Sequence, residues 1–260
     1  MDLVEAKARG FVASARHPWE LARLALATRL IARHVALRPG DVVLDVGCGD
    51  SFVAESLAKQ YPDVNFYAVD SAFTPDLIAM FEQRLTAPNV SLFASLESVP
   101  PDVSASLVLL MDVLEHVEDD HGMLRELTAH ACVTSRTSML ITVPAYAGLF
   151  CSHDRFLGHY RRYSSHTFRA LMTASGLAPV VSGRLFASLV PVRLLQVIGE
   201  RLSPPAEESP TGLATWQGGD WLARRLAWLL EWDGRAALTL LRVGVSIPGL
   251  SNFAICRPSA

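Results

Sequence analysis

The sequence predicts an α/β fold: a parallel sheet with helices on both faces. Three observations carry that expectation. Short apolar, β-branched runs alternate with segments of helical period from residue 41 to residue 145. The runs are continuously apolar, as strands covered on both faces are. The first of them ends in Gly47-Cys48-Gly49 immediately before a helical segment, where glycine permits a tight strand-to-helix turn.

Each element has a local reason. Residues 17–36 read as a helix, with Pro18 at a first-turn position and Leu21, Leu24, Ala25, Thr28 and Ile31 at helical spacing. Residues 41–46 form the first strand and 52–60 a helix, with Asp50 or Ser51 as its N-cap. The alternation continues with strands at 64–69, 90–93, 105–111 and 138–143 and helices at 76–85 and 122–131. Beyond residue 145 a polar and aromatic stretch covers 151–163, a helix follows over 165–175, and 178–182 reads as a strand. Residues 185–243 are helical in character, broken over 203–219, and 252–256 reads as a closing strand.

Composition removes several classes of function. Of 260 residues, 50% are hydrophobic and 19% charged, with a mean hydropathy of +0.27, so disorder is excluded. The longest stretch without Asp, Glu, Lys or Arg, 137–153, contains Pro144 and Gly148 and falls short of the about 20 apolar residues a spanning helix needs. Charges at Glu5, Lys7 and Arg9 speak against a secretory signal. A net charge of −3 gives no general field for nucleic acid. The scattered Cys48, Cys132, Cys151 and Cys256 form no CxxC pair, and His153-Asp154 alone is too little for a metal site, so no metal is expected. A cytoplasmic protein fits these features.

The sharpest motif is the Gly47-Cys48-Gly49 turn followed, 21 residues after Gly49, by Asp70 at the end of the next strand. A carboxylate so placed can accept from ribose hydroxyls while the turn's N–H groups approach a ligand. Phe52 stands where a dinucleotide turn needs glycine, and no Gly-Lys-Ser/Thr run is present. An adenosine-containing ligand at the sheet edge is expected, without hydride transfer or a phosphate-cradling loop.

The runs Val43-Leu44-Asp45-Val46-Gly47-Cys48-Gly49, Ala68-Val69-Asp70 and Met111-Asp112-Val113-Leu114-Glu115-His116-Val117 resemble the class I S-adenosylmethionine-dependent methyltransferases over residues 40–145. That resemblance implies a Rossmann-like seven-stranded sheet, its last strand antiparallel, here with a C-terminal helical insert. It implies S-adenosylmethionine as cofactor, with Gly47 and Gly49 lining the methionine part and Asp70 holding the ribose. Ser95-Leu96 would flank the adenine and Met111-Asp112 would lie beside the methionine, with Asp45, Cys48 and Ser71 completing the binding set. Two positions depart from the family: Ser95 where aspartate is frequent, and Ser51, near the cofactor, where glycine is frequent. They motivate a rival reading, a non-catalytic cofactor-binding or interaction module.

The acceptor side is read from three further features. His116 follows the fourth strand and reads either as a general base or substrate orienter or as a structural histidine; Glu115 reads as solvated or capping. His153, Asp154, His159, Tyr160, Arg161, Arg162 and Tyr163 lie in a stretch that resembles a His-Asp…Gly-His-x-Arg-Arg-Tyr segment of a bacterial methyltransferase subgroup. Residues 151–184 hold five arginines against Asp154, and arginine forks suit phosphate or carboxylate. The segment is expected to be a substrate lid, with His116, His153 and His159 as catalytic candidates and Asp154, Tyr160, Arg161, Arg162 and Tyr163 as substrate contacts. In the insert, Trp216, Trp221, Trp228 and Trp232 stand among Arg224, Arg225 and Arg235. That composition serves an extra core layer, a lid over an apolar substrate, an oligomer interface or peripheral membrane contact. The organisation expected is 1–184 for the cofactor-binding core with its N-terminal helix, 185–245 for the apolar insert and 246–260 for the closing strand. The function expected is methyl transfer to a small or lipid-linked, anionic acceptor, with no nucleic acid as partner.

Overall fold

A computed structural model describes residues 16–203, 216 and 218–259. The charges at Glu5, Lys7 and Arg9, and most of the break expected over 203–219, lie outside these residues. The chain runs α1 (Pro18–His34), β1 (Val42–Val46), α2 (Phe52–Gln60), β2 (Asn65–Val69), α3 (Pro75–Glu82), β3 (Val90–Phe93), β4 (Ala105–Met111), α4 (Asp120–Ala129) and β5 (Ser138–Pro144). It continues with α5 (Ser152–Phe156), α6 (Ser165–Ala174), β6 (Leu177–Leu185), α7 (Leu189–Leu202), α8 (Asp220–Arg242) and β7 (Ser251–Pro258).

The seven strands form one sheet in the order β3-β2-β1-β4-β5-β7-β6. The first five pair in parallel, and β7 runs antiparallel to both β5 and β6. Because successive side chains of a strand point to opposite faces, each apolar strand feeds two cores. Val43, Phe66, Leu107, Leu109, Leu140 and Phe253 share one core with α1, α2 and α3. Leu44, Val46, Val108, Leu110, Ile141 and Ala254 share the other with α4 and α6. The strand order reverses between β1 and β4, and ligands of open α/β sheets bind at the carboxyl ends of the strands there.

Local sequence chemistry sets the helix starts around that edge. Pro18 opens α1, and His17 closes a capping box: its ring accepts from Trp19 N–H and its own N–H donates to Glu20. At α2 one of the two expected capping side chains is engaged and the other is not. Ser51 makes no side-chain cap and sits at φ 60°. Asp50 Oδ1 accepts from Phe52 N–H at 3.4 Å instead. The Ser51 side chain is buried, its Oγ 3.8 Å from Cys48 Sγ, and does not face the ligand edge as expected.

The 185–245 stretch is not set apart from the core. Leu185 ends β6, and Phe186 is 1% exposed. Helix α8 buries the small residues Ala223, Ala227, Gly234 and Ala237. A Cβ on Gly234 would come 2.2 Å from Leu26 Cδ1 of α1, so glycine is what lets the two helices approach. The opposite face of α8 exposes Trp221, Trp228, Leu229 and Trp232, and α7 exposes Leu194, Leu195 and Ile198. Among the described residues no helix is long and apolar enough to cross a membrane.

Candidate functional site

A cavity of about 670 Å³ opens at the carboxyl ends of β1, β2 and β4, and all ten residues expected to hold the cofactor line it. The turn after β1 builds one wall. Gly47 adopts φ 71° and Gly49 φ 58°, the left-handed region that favours glycine. A Cβ on Gly47 would meet Val113 Cγ2 at 2.6 Å, so the turn also needs glycine for space. Asp70 is fixed from both oxygens: Oδ2 accepts from Gly49 N–H at 2.9 Å and Oδ1 from Ala72 N–H at 3.0 Å. That locks the β1 turn to the end of β2 and aims a carboxylate at the cavity.

Charges of both signs line the deeper part of this wall. Asp45 is 3% exposed and its Oδ2 has no hydrogen-bond partner. Burial pushes its pKa up to about 7, against a smaller opposing pull from Arg23. Arg23 of α1 forms a close ion pair with Asp112, a residue held at φ 60° directly after β4. The Arg23 Nε remains without a partner while the residue lines the cavity. Ser95 bonds Ser98 across a short turn, and Glu97 lines the cavity beside it.

The other side of the cavity, where the acceptor is expected, is built from three segments far apart in sequence. After β4 a 3₁₀ turn, Leu114–His116, brings Glu115 and His116 to the cavity. Glu115 is 1% exposed, which corrects its reading as a solvated or capping residue. Burial, reinforced by Asp112, raises its pKa well above the usual carboxylate range. Helix α5 and the loop after it bring His153, His159 and Arg162. The His116 and His159 rings stand at 90° with centroids 4.5 Å apart. Burial, then Arg193, lowers the His153 pKa to about 4, so its imidazole is neutral near pH 7.

The segment expected to be a lid is pinned by internal pairs. Asp154 is fully buried and is its hub: its carboxylate accepts from Cys151 N–H at 2.9 Å and from Arg162 Nε at 2.8 Å, and lies 3.1 Å from His159 Nδ1. Burial alone would raise its pKa, but His159 and Arg162 hold it well below the usual carboxylate range. Tyr163 is buried and donates to Asp120 at 2.7 Å, and Arg161 pairs with the same carboxylate. Asp154, Tyr160, Arg161 and Tyr163 do not line the cavity, which corrects their reading as substrate contacts; of that group only Arg162 does. Two of the segment's five arginines are thereby paired, Arg162 with Asp154 and Arg161 with Asp120.

Arg193, on α7, is the cation that sequence reasoning missed. It is 7% exposed, lines the cavity, and touches Cys151 Sγ at 2.7 Å through Nη1. Its Nε has no partner, and among the described residues it makes no ion pair. Leu189 and Val192 of α7 and Leu230 of α8 give the same cavity apolar lining. Arg23 and Glu97 were likewise not singled out. The i, i+4 placement of Leu189 and Arg193 on an apolar helix is a signal that could have found the last cation.

Comparisons with known proteins follow the same lines. A search of curated proteins returned no match. Among solved structures, a protein described as a methyltransferase, solved with the Haloferax volcanii Trm112 methyltransferase activator, is 17% identical, with 98% of this chain and 94% of that one covered and a TM-score of 0.56. The cyclase SpnF is 19% identical over 92% of this chain and 82% of its own, at a TM-score of 0.54. Coclaurine N-methyltransferase, solved with N-methylheliamine and SAH, is 15% identical over 92% and 73%, at 0.52. These likenesses are of fold, and one of the three carries a cyclase's name, so fold alone does not fix the chemistry. The family description "Methyltransferase domain" matches residues 19–182, more than half of the chain and the whole of the cofactor-side wall. With that match and the Gly47–Asp70 edge together, the chain belongs to the methyltransferase-domain family and is a class I S-adenosylmethionine-dependent methyltransferase.

Proposed function

We propose that the enzyme methylates an acceptor that carries an anionic group and an apolar tail, small or lipid-linked, on an oxygen, nitrogen or carbon atom. The observation that carries this reading is Arg193, a buried guanidinium without an ion pair among the described residues, in a cavity that Leu189, Val192 and Leu230 also line. A buried cation is costly unless a counter-charge meets it. Arginine's fork suits carboxylate or phosphate, and the apolar side chains of the same cavity suit an alkyl chain.

The cofactor side fits S-adenosylmethionine group by group. The unpartnered Asp45 Oδ2 suits the ammonium of its amino-acid part, and the Arg23 Nε suits the carboxylate. Asp70 is fixed to accept from the ribose, and Glu97 offers a carboxylate beside Ser95, at the adenine end. When bound, the donor supplies an already activated sulfonium methyl. The protein then has to align the acceptor and exclude water. Arg193 orients the acceptor through its anion. His116 and His159 face the cavity, where an imidazole can hold the acceptor's hydroxyl or amine or take its proton. The neutral His153, its Nδ1 unpartnered, offers a hydrogen bond without adding charge beside Arg193.

The lipid-linked form of the reading, with peripheral membrane contact, is supported by the helices that carry Arg193 and Leu230. The same α7 and α8 expose Leu194, Leu195, Trp221, Trp228 and Trp232, with Arg225 over Trp221 and Arg235 over Trp232. Trp and Arg beside leucine are what an interfacial helix uses. Incubation with labelled donor and a cell extract, followed by partition, tests this. Label in the organic phase is expected, and label only in water-soluble products ends the lipid-linked form. Arg193→Gln is expected to suppress labelling of the acceptor found; undiminished labelling ends the anionic reading. Tight donor binding with no label in any fraction would favour the non-catalytic rival instead.

A further inference from the structure

We infer that Glu115, His116 and His159 form a binding site for a divalent first-row transition-metal cation in the acceptor half of the cavity. One ligand atom from each residue lies within 4.8 Å of the other two. Ligand atoms on a zinc shell of about 2.0–2.2 Å lie about 3–3.5 Å apart. The ligand atoms must therefore draw together to share an ion, and all three residues line the cavity where they would do so.

Two independent features point to a cation there. Glu115 is a fully buried carboxylate whose Oε2 has no hydrogen-bond partner. Buried carboxylates are found paired or on a metal, because leaving one alone is expensive. The second feature is the setting of His159. Its Nδ1 is 3.1 Å from Asp154 Oδ1, and Asp154 is held in turn by Arg162 and Cys151 N–H. A carboxylate at Nδ1 favours the tautomer that carries its proton there, which leaves Nε2 with a free lone pair. That carboxylate–histidine pairing is the arrangement that supports metal-bound histidines.

The donor set also chooses among cations. Two imidazoles and one carboxylate suit Zn²⁺, Mn²⁺, Fe²⁺ or Co²⁺, whereas Mg²⁺ and Ca²⁺ prefer oxygen ligands throughout. Three protein ligands leave at least one coordination position open. Resting on the methyl-transfer reading above, that position is the place for a hydroxyl oxygen of the acceptor, and with the cation bound His116 and His159 act as its ligands in place of direct contact with the acceptor. Binding of the cation itself does not depend on that reading.

The test uses the full chain, stripped with chelator, dialysed, and titrated calorimetrically with ZnCl₂ and separately with MnCl₂. One equivalent is expected to bind, and excess MgCl₂ should not displace it. Glu115→Gln and His159→Gln should each weaken binding about tenfold or more, and Asp154→Asn about 10- to 100-fold through the lost partner of His159. SAH binding by the same samples reports an intact donor site, and His159→Gln should keep it. If Glu115→Gln fails to fold, His159→Gln decides. No stoichiometric uptake, or uptake that survives His159→Gln, overturns the site. The acceptor reading is judged separately, by labelling with Arg193→Gln.

Discussion

The two halves of the cavity are built by opposite strategies. The donor half comes from short-range sequence: Gly47, Gly49 and Asp70 are placed by one strand–turn–helix–strand unit, and Asp70 ties to Gly49 N–H directly. The acceptor half is assembled from distant pieces. Glu115 and His116 follow β4, Asp154, His159 and Arg162 follow β5, and Arg193 arrives on α7. The contrast implies that local backbone geometry holds the donor, whereas a network of buried charges centred on Asp154 shapes the acceptor site. Substitutions should therefore separate the two.

The largest expected effect is on the hub. Asp154→Ala removes the partner of a buried Arg162, which is 7% exposed. Breaking a buried pair in this way costs about 3–5 kcal/mol, to be read from urea unfolding. The part of the population that stays folded should still bind SAH. If donor binding fails in step with the acceptor, the two halves are one unit and the comparison collapses.

Next is Gly47→Ala. The new Cβ meets Val113 at 2.6 Å, at a backbone φ of 71° that alanine adopts only under strain. The strain costs about 1–3 kcal/mol, expected as about 10- to 100-fold weaker SAH binding by calorimetry. Val113→Ala in the same chain should recover the part due to the clash and leave the part due to φ. Complete recovery would mean that the backbone conformation carries no cost there.

Arg193→Gln should act on the other half alone. Loss of a hydrogen bond to a charged group costs about 1.5–3 kcal/mol, so KM for an anionic acceptor should rise about 10- to 100-fold while SAH affinity stays unchanged. An unchanged KM would remove Arg193 from acceptor binding.

The same contrast explains what could be read from sequence. Apolar runs and glycine spacing are local signals, so the alternation of strands and helices, the Gly47–Asp70 edge and most element bounds follow from them, whereas the seven-stranded sheet with its antiparallel last strand is implied by the family resemblance alone. The readings that failed depend on what a side chain meets in space. Tyr163 and Arg161 carry the composition of a substrate contact, but Asp120, on α4, captures both. Ser51 has the chemistry of a cap, but its φ of 60° turns the side chain inward to Cys48. Glu115 looks like any surface acid until Tyr160 N–H bonds its carbonyl at 2.7 Å and the loop after α5 closes over it. Arg193 sits among leucines in a stretch whose composition alone suits a core, and only the position of α7 makes it a wall of the site.

The smallest effect, and the finest test of the donor half, is a pH dependence at Asp45. Burial holds its carboxyl near pKa 7 in the free protein, above the ordinary 3.8. The folded chain therefore binds a proton there that the unfolded chain has lost, and stability should fall as pH rises from about 4 to about 7. Donor binding should show the opposite sign. An ammonium beside Asp45 favours the ionised carboxylate, so its pKa falls in the complex and protons are released on binding. SAH affinity should then tighten as pH rises toward 7, by at most about tenfold per pH unit, and level off above it. Asp45→Asn has no carboxyl to titrate and should flatten that portion of the profile, leaving only the titration of the ligand itself. Because both chains are compared with the same ligand, the difference between their profiles isolates Asp45. Coincident profiles would show that Asp45 stays neutral in the complex, and the donor's ammonium would then have to be held by another group.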